Sequence, residues 1–218
     1  FSTQTFTTVG YGRISPVGFL TSAVATLESF LGLLNFAIAT GLFYGRFSRP
    51  RAYIRFSENA LIAPYEDGVA LMFRLAPYKN NRLSNVEVRV NLALIVEENG
   101  KRVNRFFALD LELDRVNSLN LNWTIVHPIN AESPFHQLGH ADLLRMKAEV
   151  LVFVQAFDDS FSNTVVARTS YLAEETVFGA RFLPMYHRSE DGRYTVMDLD
   201  KLNSFDPVDI SFAYQDRS

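Results

Sequence analysis

Hydrophobic and polar positions divide this chain into two unlike stretches. Residues 17–44 form one apolar run, in which Glu28 is the only charge and Asn35 the most polar uncharged residue. A helix of that length crosses the ~30 Å of a bilayer's hydrocarbon at ~1.5 Å per residue. Ser15-Pro16 predicts its start, because proline is tolerated in a first helical turn. Gly32, Gly41 and Gly45 suit a helix that neighbours approach closely in lipid. From Tyr53 onward the period changes. Val86-Glu87-Val88-Arg89-Val90-Asn91-Leu92 alternates at period two, as a half-buried strand does. Residues 150–157 and 164–172 are rich in β-branched and aromatic side chains, and Glu66-Asp67-Gly68, Asn99-Gly100 and Asp191-Gly192 read as turns. Short helices are expected near 141–146 and 198–202. Many short strands between turn signals predict a β-sandwich.

Charge sharpens the division. Residues 1–45 carry only Arg13 and Glu28, whereas Arg46, Arg49, Arg51 and Arg55 follow the apolar run around the helix breaker Pro50. Basic residues flanking a span mark its cytoplasmic side. The expected organisation is therefore a membrane part over 1–50 and a cytoplasmic β-domain over 51–218, located at the cell membrane. Cysteine is absent, which excludes disulfides and thiolate metal sites and fits a reducing compartment. The formal net charge is −3 with no basic nucleic-acid motif, so DNA binding has no support. Phe1-Ser2-Thr3-Gln4 is no signal peptide and no initiator Met precedes it, so the chain reads as a fragment.

Enzyme chemistry finds no foothold. His136 and His140 have metal-like spacing but no third ligand, and Gly139 argues against a rigid helix between them. The pairs Asp158-Asp159 and Glu97-Glu98 sit beside turns and are expected to be solvated. There is no nucleophile motif, P-loop or dinucleotide fingerprint, and no cofactor is expected.

The chemistry lies in Thr7-Thr8-Val9-Gly10-Tyr11-Gly12. A potassium ion sheds its water only where other oxygens replace it at similar distances. Successive backbone carbonyls of Thr8, Val9, Gly10 and Tyr11, repeated around an axis, can do this. Gly10 and Gly12 can supply the positive φ that such a loop demands, Thr8 can add its hydroxyl oxygen, and Tyr11 can pack outward. The pentapeptide Thr8-Val9-Gly10-Tyr11-Gly12 within it is the sequence on which potassium selectivity is usually described. Non-helical backbone at membrane depth is tolerated where it lines a cavity, which favours a filter over a plain Gly-Tyr-Gly turn.

Here the sequence resembles the inwardly rectifying potassium channels, especially their bacterial branch. Phe1-Ser2-Thr3-Gln4-Thr5-Phe6-Thr7-Thr8 looks like the end of that family's pore helix. Ala25-Thr26-Leu27-Glu28, Ala39-Thr40-Gly41-Leu42 and Arg46-Phe47-Ser48-Arg49-Pro50 look like its inner helix and exit. Phe56-Ser57-Glu58-Asn59-Ala60, His127-Pro128-Ile129 with Ser133-Pro134, and Arg168-Thr169-Ser170-Tyr171-Leu172-Ala173 match in the soluble part. The resemblance implies a homotetramer whose immunoglobulin-like cytoplasmic β-sandwich extends the ion path. That family also needs an outer helix and a full pore helix, which are not visible before Phe1.

Ser29, Leu33, Phe36, Thr40 and Tyr44 share one helical face, and the resemblance turns it toward the pore. Phe36 and Tyr44 would then form apolar constrictions that gate by dewetting. Asn35 is a rival lining residue one step off that face. Phe36 stands where strong rectifiers carry an acid, and Asn85 where they carry Glu, while Glu175 matches an acidic position of the cytoplasmic pore. Weak rectification follows, with little polyamine or Mg2+ block. Arg46, Arg49 and Arg51 match positions that meet anionic lipid headgroups. Glu28 is expected to form a buried hydrogen bond behind the filter, and Arg13 stands where bacterial relatives often have Asp at the outer mouth. The competing readings are a membrane-anchored β-sandwich interaction module and a non-selective cation channel.

Overall fold

The computed structural model describes residues 1–47, 51–79, 82–98 and 100–211. Contacts divide the chain into two units, Phe1–Arg49 and Pro50–Ser218.

The first unit is a short helix, a loop and a long helix. Helix α1 (Ser2–Phe6) is a single turn. Helix α2 (Phe19–Phe47) has 29 residues, about 43 Å at 1.5 Å per residue, and only Ala25 and Gly32 within it are buried. It is the one helix among the described residues long and apolar enough to cross a membrane, and 11% of its most apolar window is buried. The core helix of a soluble domain would be mostly covered. The start differs from the Ser15-Pro16 expectation. Gly18 has φ +93°, which no right-handed helix accommodates, so helical geometry begins at Phe19. The Gly18 carbonyl accepts the first intrahelical bond from the Ser22 amide at 3.1 Å, and the Thr21 hydroxyl donates to the Val17 and Gly18 carbonyls. At the other end the helix runs three residues past Tyr44 to Phe47.

The second unit is a β-sandwich. One sheet contains β1 (Ile54–Phe56), β2 (Ala60–Tyr65), β3 (Gly68–Pro77), β7 (Trp123–Pro128) and β10 (Thr176–Phe178). The other contains β4 (Leu83–Glu98), β5 (Lys101–Ala108), β6 (Arg115–Ser118), β8 (Glu149–Asp158) and β9 (Asn163–Leu172). Pairing is antiparallel except between β2 and β10. One core joins both sheets: Ile62, Leu71 and Phe73 from the first meet Val88, Val90, Val152 and Val154 from the second. The period-two alternation read at 86–92 runs from Val86 to Leu94 within β4 and is broken before it at Ser84-Asn85. Small pairs complete the unit: β11 (Ala180–Phe182) with β14 (Phe205–Pro207), and β12 (Tyr186–Arg188) with β13 (Thr195–Met197). The expected short helices appear as α3 (His140–Arg145) and a 3-10 turn over Leu199–Lys201.

Several polar groups inside this core are paired, while Arg74 Nε, Asn122 Oδ1 and Asp158 Oδ2 have no hydrogen-bond partner among the described residues. The Ser57 hydroxyl donates to the Asn59 carbonyl at 2.9 Å, accepts the Arg74 amide at 3.0 Å and lies 3.4 Å from the Tyr171 hydroxyl. Tyr171 packs on Phe73 at 5.3 Å between ring centres, and burial pushes its hydroxyl pKa well above the ordinary phenol range. Arg74 is buried without a carboxylate partner among the described residues. Its guanidinium donates to the Leu183 carbonyl at 2.6 Å and lies over the Phe182 ring, and burial lowers its pKa.

One expectation fails here. Asp158 is fully buried rather than solvated. It is the last residue of β8, and one carboxylate oxygen accepts the Ser160 and Phe161 amides that would otherwise be orphaned in the turn. Asp159 and Glu97 are exposed, as expected.

Candidate functional site

The loop after α1 has an alternating backbone. Thr8, Gly10 and Gly12 have φ of 61°, 47° and 76°, while Val9 and Tyr11 between them stay in the ordinary negative range. In a regular strand successive carbonyls point to opposite sides. When the handedness of successive residues alternates, amides gather on one side and carbonyls on the other. The glycines occupy this region at little cost. Thr8 does so with a Cβ, a strain that the sequence reading missed. The loop is tied back to α1: the Thr8 amide donates to the Thr5 carbonyl and the Gly10 amide to the Gln4 carbonyl, each at 3.2 Å.

Helix α2 supports that loop through a close contact. A Cβ on Gly32 would lie 2.0 Å from the Phe6 carbonyl oxygen and 2.8 Å from its carbon. Only glycine lets the end of α1 rest on the long helix there. A second tie joins the elements one turn earlier, where the Ser2 hydroxyl donates to the Glu28 carboxylate. Glu28 is half-buried and serves as a hydrogen-bond acceptor.

Two clefts lie beside the loop. One of about 370 Å³ brings Thr8 together with Leu33, Asn35 and Phe36. The other, of about 260 Å³, adds Gly10 and Ser29. Three of the five face residues, Ser29, Leu33 and Phe36, thus share walls with the loop. Thr40 and Tyr44 lie further along the helix and line neither cleft. Asn35 joins Phe36 on the cleft, closer to the loop than its angular position had suggested. The Ser29 hydroxyl is turned to its own helix, donating to the Ala25 carbonyl at 2.9 Å. Phe36 and Tyr44 are each 74% exposed, and Val9 and Tyr11 are also uncovered.

In the β-domain, Asn85 sits at a bulge where the β4–β8 register shifts between Ser84 and Glu87. Its φ is 48°, a left-handed conformation that asparagine tolerates better than glutamate. Glu175 is half-buried and engaged: its carboxylate accepts the Leu172 amide at 2.9 Å and closes the 3-10 turn Ala173–Glu175. Arg46 lies in the last turn of α2 and Arg51 is exposed; Arg49 lies outside the described residues. His136 is exposed, and His140 packs its ring edge against Phe178.

His127 is a more organised site than the spacing of histidines suggested. It is buried, with Nδ1 at 2.6 Å from the Asp110 carbonyl and Nε2 at 2.8 Å from the Ser133 hydroxyl. A carbonyl can only accept, so Nδ1 carries the proton and Nε2 accepts from Ser133. Burial holds its pKa below the ordinary histidine value, opposed in part by the Asp110 carbonyl. Ser133 in turn accepts the Phe135 amide at 3.2 Å, which ties the loop after β7 to the strand.

Comparison with known proteins decides what carries this arrangement. Residues 54–217 match the inward rectifier potassium channel C-terminal domain, and residues 1–49 match a family described as ion channel. The chain belongs to the inward rectifier potassium channel family. It is 34% identical over 206 residues to the inward rectifier potassium channel Kirbac3.1 of Paramagnetospirillum magnetotacticum, covering 93% of this chain and 69% of that protein. It is 28% identical to the inward rectifier potassium channel irk-1 of Caenorhabditis elegans, over 95% of this chain and 40% of that one. It is 29% identical to the mouse G protein-activated inward rectifier potassium channel 2, over 90% of this chain and 48% of the relative. The chain therefore spans roughly seven tenths of the bacterial relative's length and less than half of the animal ones. This membership sets aside the anchored interaction module. It is a family of channels rather than enzymes.

Proposed function

We propose that this chain is the filter-bearing part of a subunit of a potassium channel, four copies of which surround one ion path at the cell membrane with the β-domain in the cytoplasm. The alternation of φ along Thr8–Gly12 carries the proposal. Carbonyls gathered on one side of each loop, brought together four-fold, replace the hydration shell of a dehydrated potassium ion. The uncovered apolar surface of α2 supports the assembly, since lipid and neighbouring helices would cover it.

The finer reading assigns Phe36 and Tyr44 as apolar constrictions and Ser29, Leu33 and Thr40 as further lining. An aromatic ring at 36 offers polyamines and Mg2+ no counter-charge. Asn85 offers none either, and one Glu175 oxygen is already engaged by an amide. Weak rectification is the consequence. Arg46 and Arg51, with Arg49, would meet anionic lipid headgroups, each contributing about 1 kcal/mol near such a surface.

The test is reconstitution of the full-length protein into liposomes, with potassium and sodium fluxes compared. Potassium flux well above sodium flux is expected, from a particle of four subunits. Equal fluxes would favour the non-selective cation channel. For rectification, Phe36→Glu should deepen block of outward current by internal spermine at least tenfold. Steep block in the unaltered channel would refute the weak-rectifier reading.

A further inference from the structure

A cleft of about 340 Å³ opens in the β-domain where the β4–β5 hairpin meets the exit of α3. Arg102 reaches it from β5, while Arg145 and Lys147 reach it from the end of α3. Ile95 and Met146 give it apolar wall, and Glu97 is the one carboxylate that lines it. Glu97 stands opposite Arg102 in the strand ladder. Arg145 is 76% exposed and gives one guanidinium nitrogen to Asp142 at 2.8 Å, leaving its other donors available. Lys147 is exposed and takes part in none of the ion pairs among the described residues. Three cations from two separate elements thus converge on one concavity with a single lining acid.

The backbone at Lys147 makes the arrangement harder to dismiss as a solvated rim. Lys147 directly follows Met146, the C-cap of α3, and has φ 47°. Glycine is the usual occupant where a chain leaves a helix left-handed, because a Cβ there is strained. A lysine complements the negative end of a helix from several nearby positions without this strain. The position that costs conformational energy is also the one that lines the cleft.

We propose that this cleft binds a phosphate-bearing anion, with Arg102 and Lys147 holding phosphate oxygens from opposite walls and Arg145 closing the rim. Guanidinium groups match phosphate oxygens in a bidentate fork, and an ammonium adds a point charge. The volume lies at the lower end of the range for small-molecule sites, so it admits phosphate carried on a larger body. A lipid headgroup and a soluble phosphate compound share this chemistry.

Two titrations of the full-length channel in detergent separate the sources. One uses inorganic pyrophosphate, followed by calorimetry. The other uses phosphatidylcholine vesicles with and without phosphatidylinositol bisphosphate, followed by flotation. Pyrophosphate should bind the unaltered protein, and its apparent Kd should rise at least tenfold in Arg102→Gln and in Lys147→Gly. Lys147→Gly should melt at the same or a higher temperature, since it relieves the φ strain, so weaker binding cannot be laid to unfolding. Vesicle binding that needs the phosphoinositide and weakens in the same variants identifies the lipid as the source. Absence of binding to both probes, or binding equal in the unaltered protein and both variants, overturns the proposal. Potassium and sodium fluxes of the same preparations test conduction separately, so either reading can fail alone.

Discussion

Replacing Gly32 with alanine is the sharpest perturbation of the loop that follows α1. The added methyl would sit 2.0 Å from the Phe6 carbonyl oxygen, 2.8 Å from its carbon and 3.1 Å from its Cα, and real Cβ contacts essentially never fall under 3.0 Å. The deficit is therefore at least 1.0 Å, and all three obstructing atoms are backbone, so no side chain can swing aside. Either α1 must move off α2 or α2 must bend. Phe6 is the last residue of α1, Thr8 is bonded to Thr5 and Gly10 to Gln4, so displacement of α1 carries the loop with it. Overpacking of this kind costs about 1–3 kcal/mol. A shift of that size between potassium and sodium binding at the filter corresponds to roughly a five- to hundred-fold change, at about 1.4 kcal/mol per factor of ten. The assay is the potassium-to-sodium permeability ratio of reconstituted full-length channels, with the fraction of four-subunit particles measured alongside. We expect the ratio to fall about tenfold or the tetramer fraction to drop. Gly41→Ala is the control, because nothing lies within 4 Å of a Cβ there. Unchanged selectivity and assembly in Gly32→Ala, or equal losses in the two variants, would refute the reasoning.

Other outcomes follow from the same geometry. Gly10→Ala places a Cβ at φ 47°, a cost of about 1–2 kcal/mol, and should reduce potassium flux in the liposome assay by tenfold or more. Ser57→Ala removes the acceptor of the Arg74 amide and leaves the buried Tyr171 hydroxyl without its partner. Denaturant titration should show a loss of about 1–3 kcal/mol, the usual cost of stranding buried polar groups. His127 makes stability depend on pH. Its pKa is lowered in the fold from the ordinary 6.5, so the unfolded chain takes up the proton first and the native state loses ground as pH falls. The contribution is complete above about pH 6.5 and declines below it. Melting curves at pH 7.5 and 5.5 should therefore differ more for the unaltered protein than for His127→Gln, and equal differences would remove His127 as the cause.

Period and composition made the large features legible. An apolar run of membrane length, arginines at its end and a change to period two at residue 86 were enough to separate a spanning helix from a β-domain. At Gly10 and Gly12 the glycines marked positions of positive φ, because few other residues tolerate that backbone. The short helix expected near 141–146 lies within one residue of that range, as α3. Gly18 defeated the expected helix start because a lone positive φ leaves no periodic trace.

Sequence alone settled which residues have the capacity to span lipid, to alternate along strands and to present carbonyls from a glycine-bearing loop. These are properties of single residues and their nearest neighbours along the chain, so spacing reveals them. Tertiary structure decided the rest: that Gly32 is the seat of α1, that Asp158 is buried under its own turn, that His127 is fixed as one tautomer, and that Arg102 and Lys147 face the same cleft. Gly32, His127 and the cleft depend on residues distant in the chain meeting at a few ångströms, and Asp158 on the packing that covers its turn, so packing rather than local order sets them all.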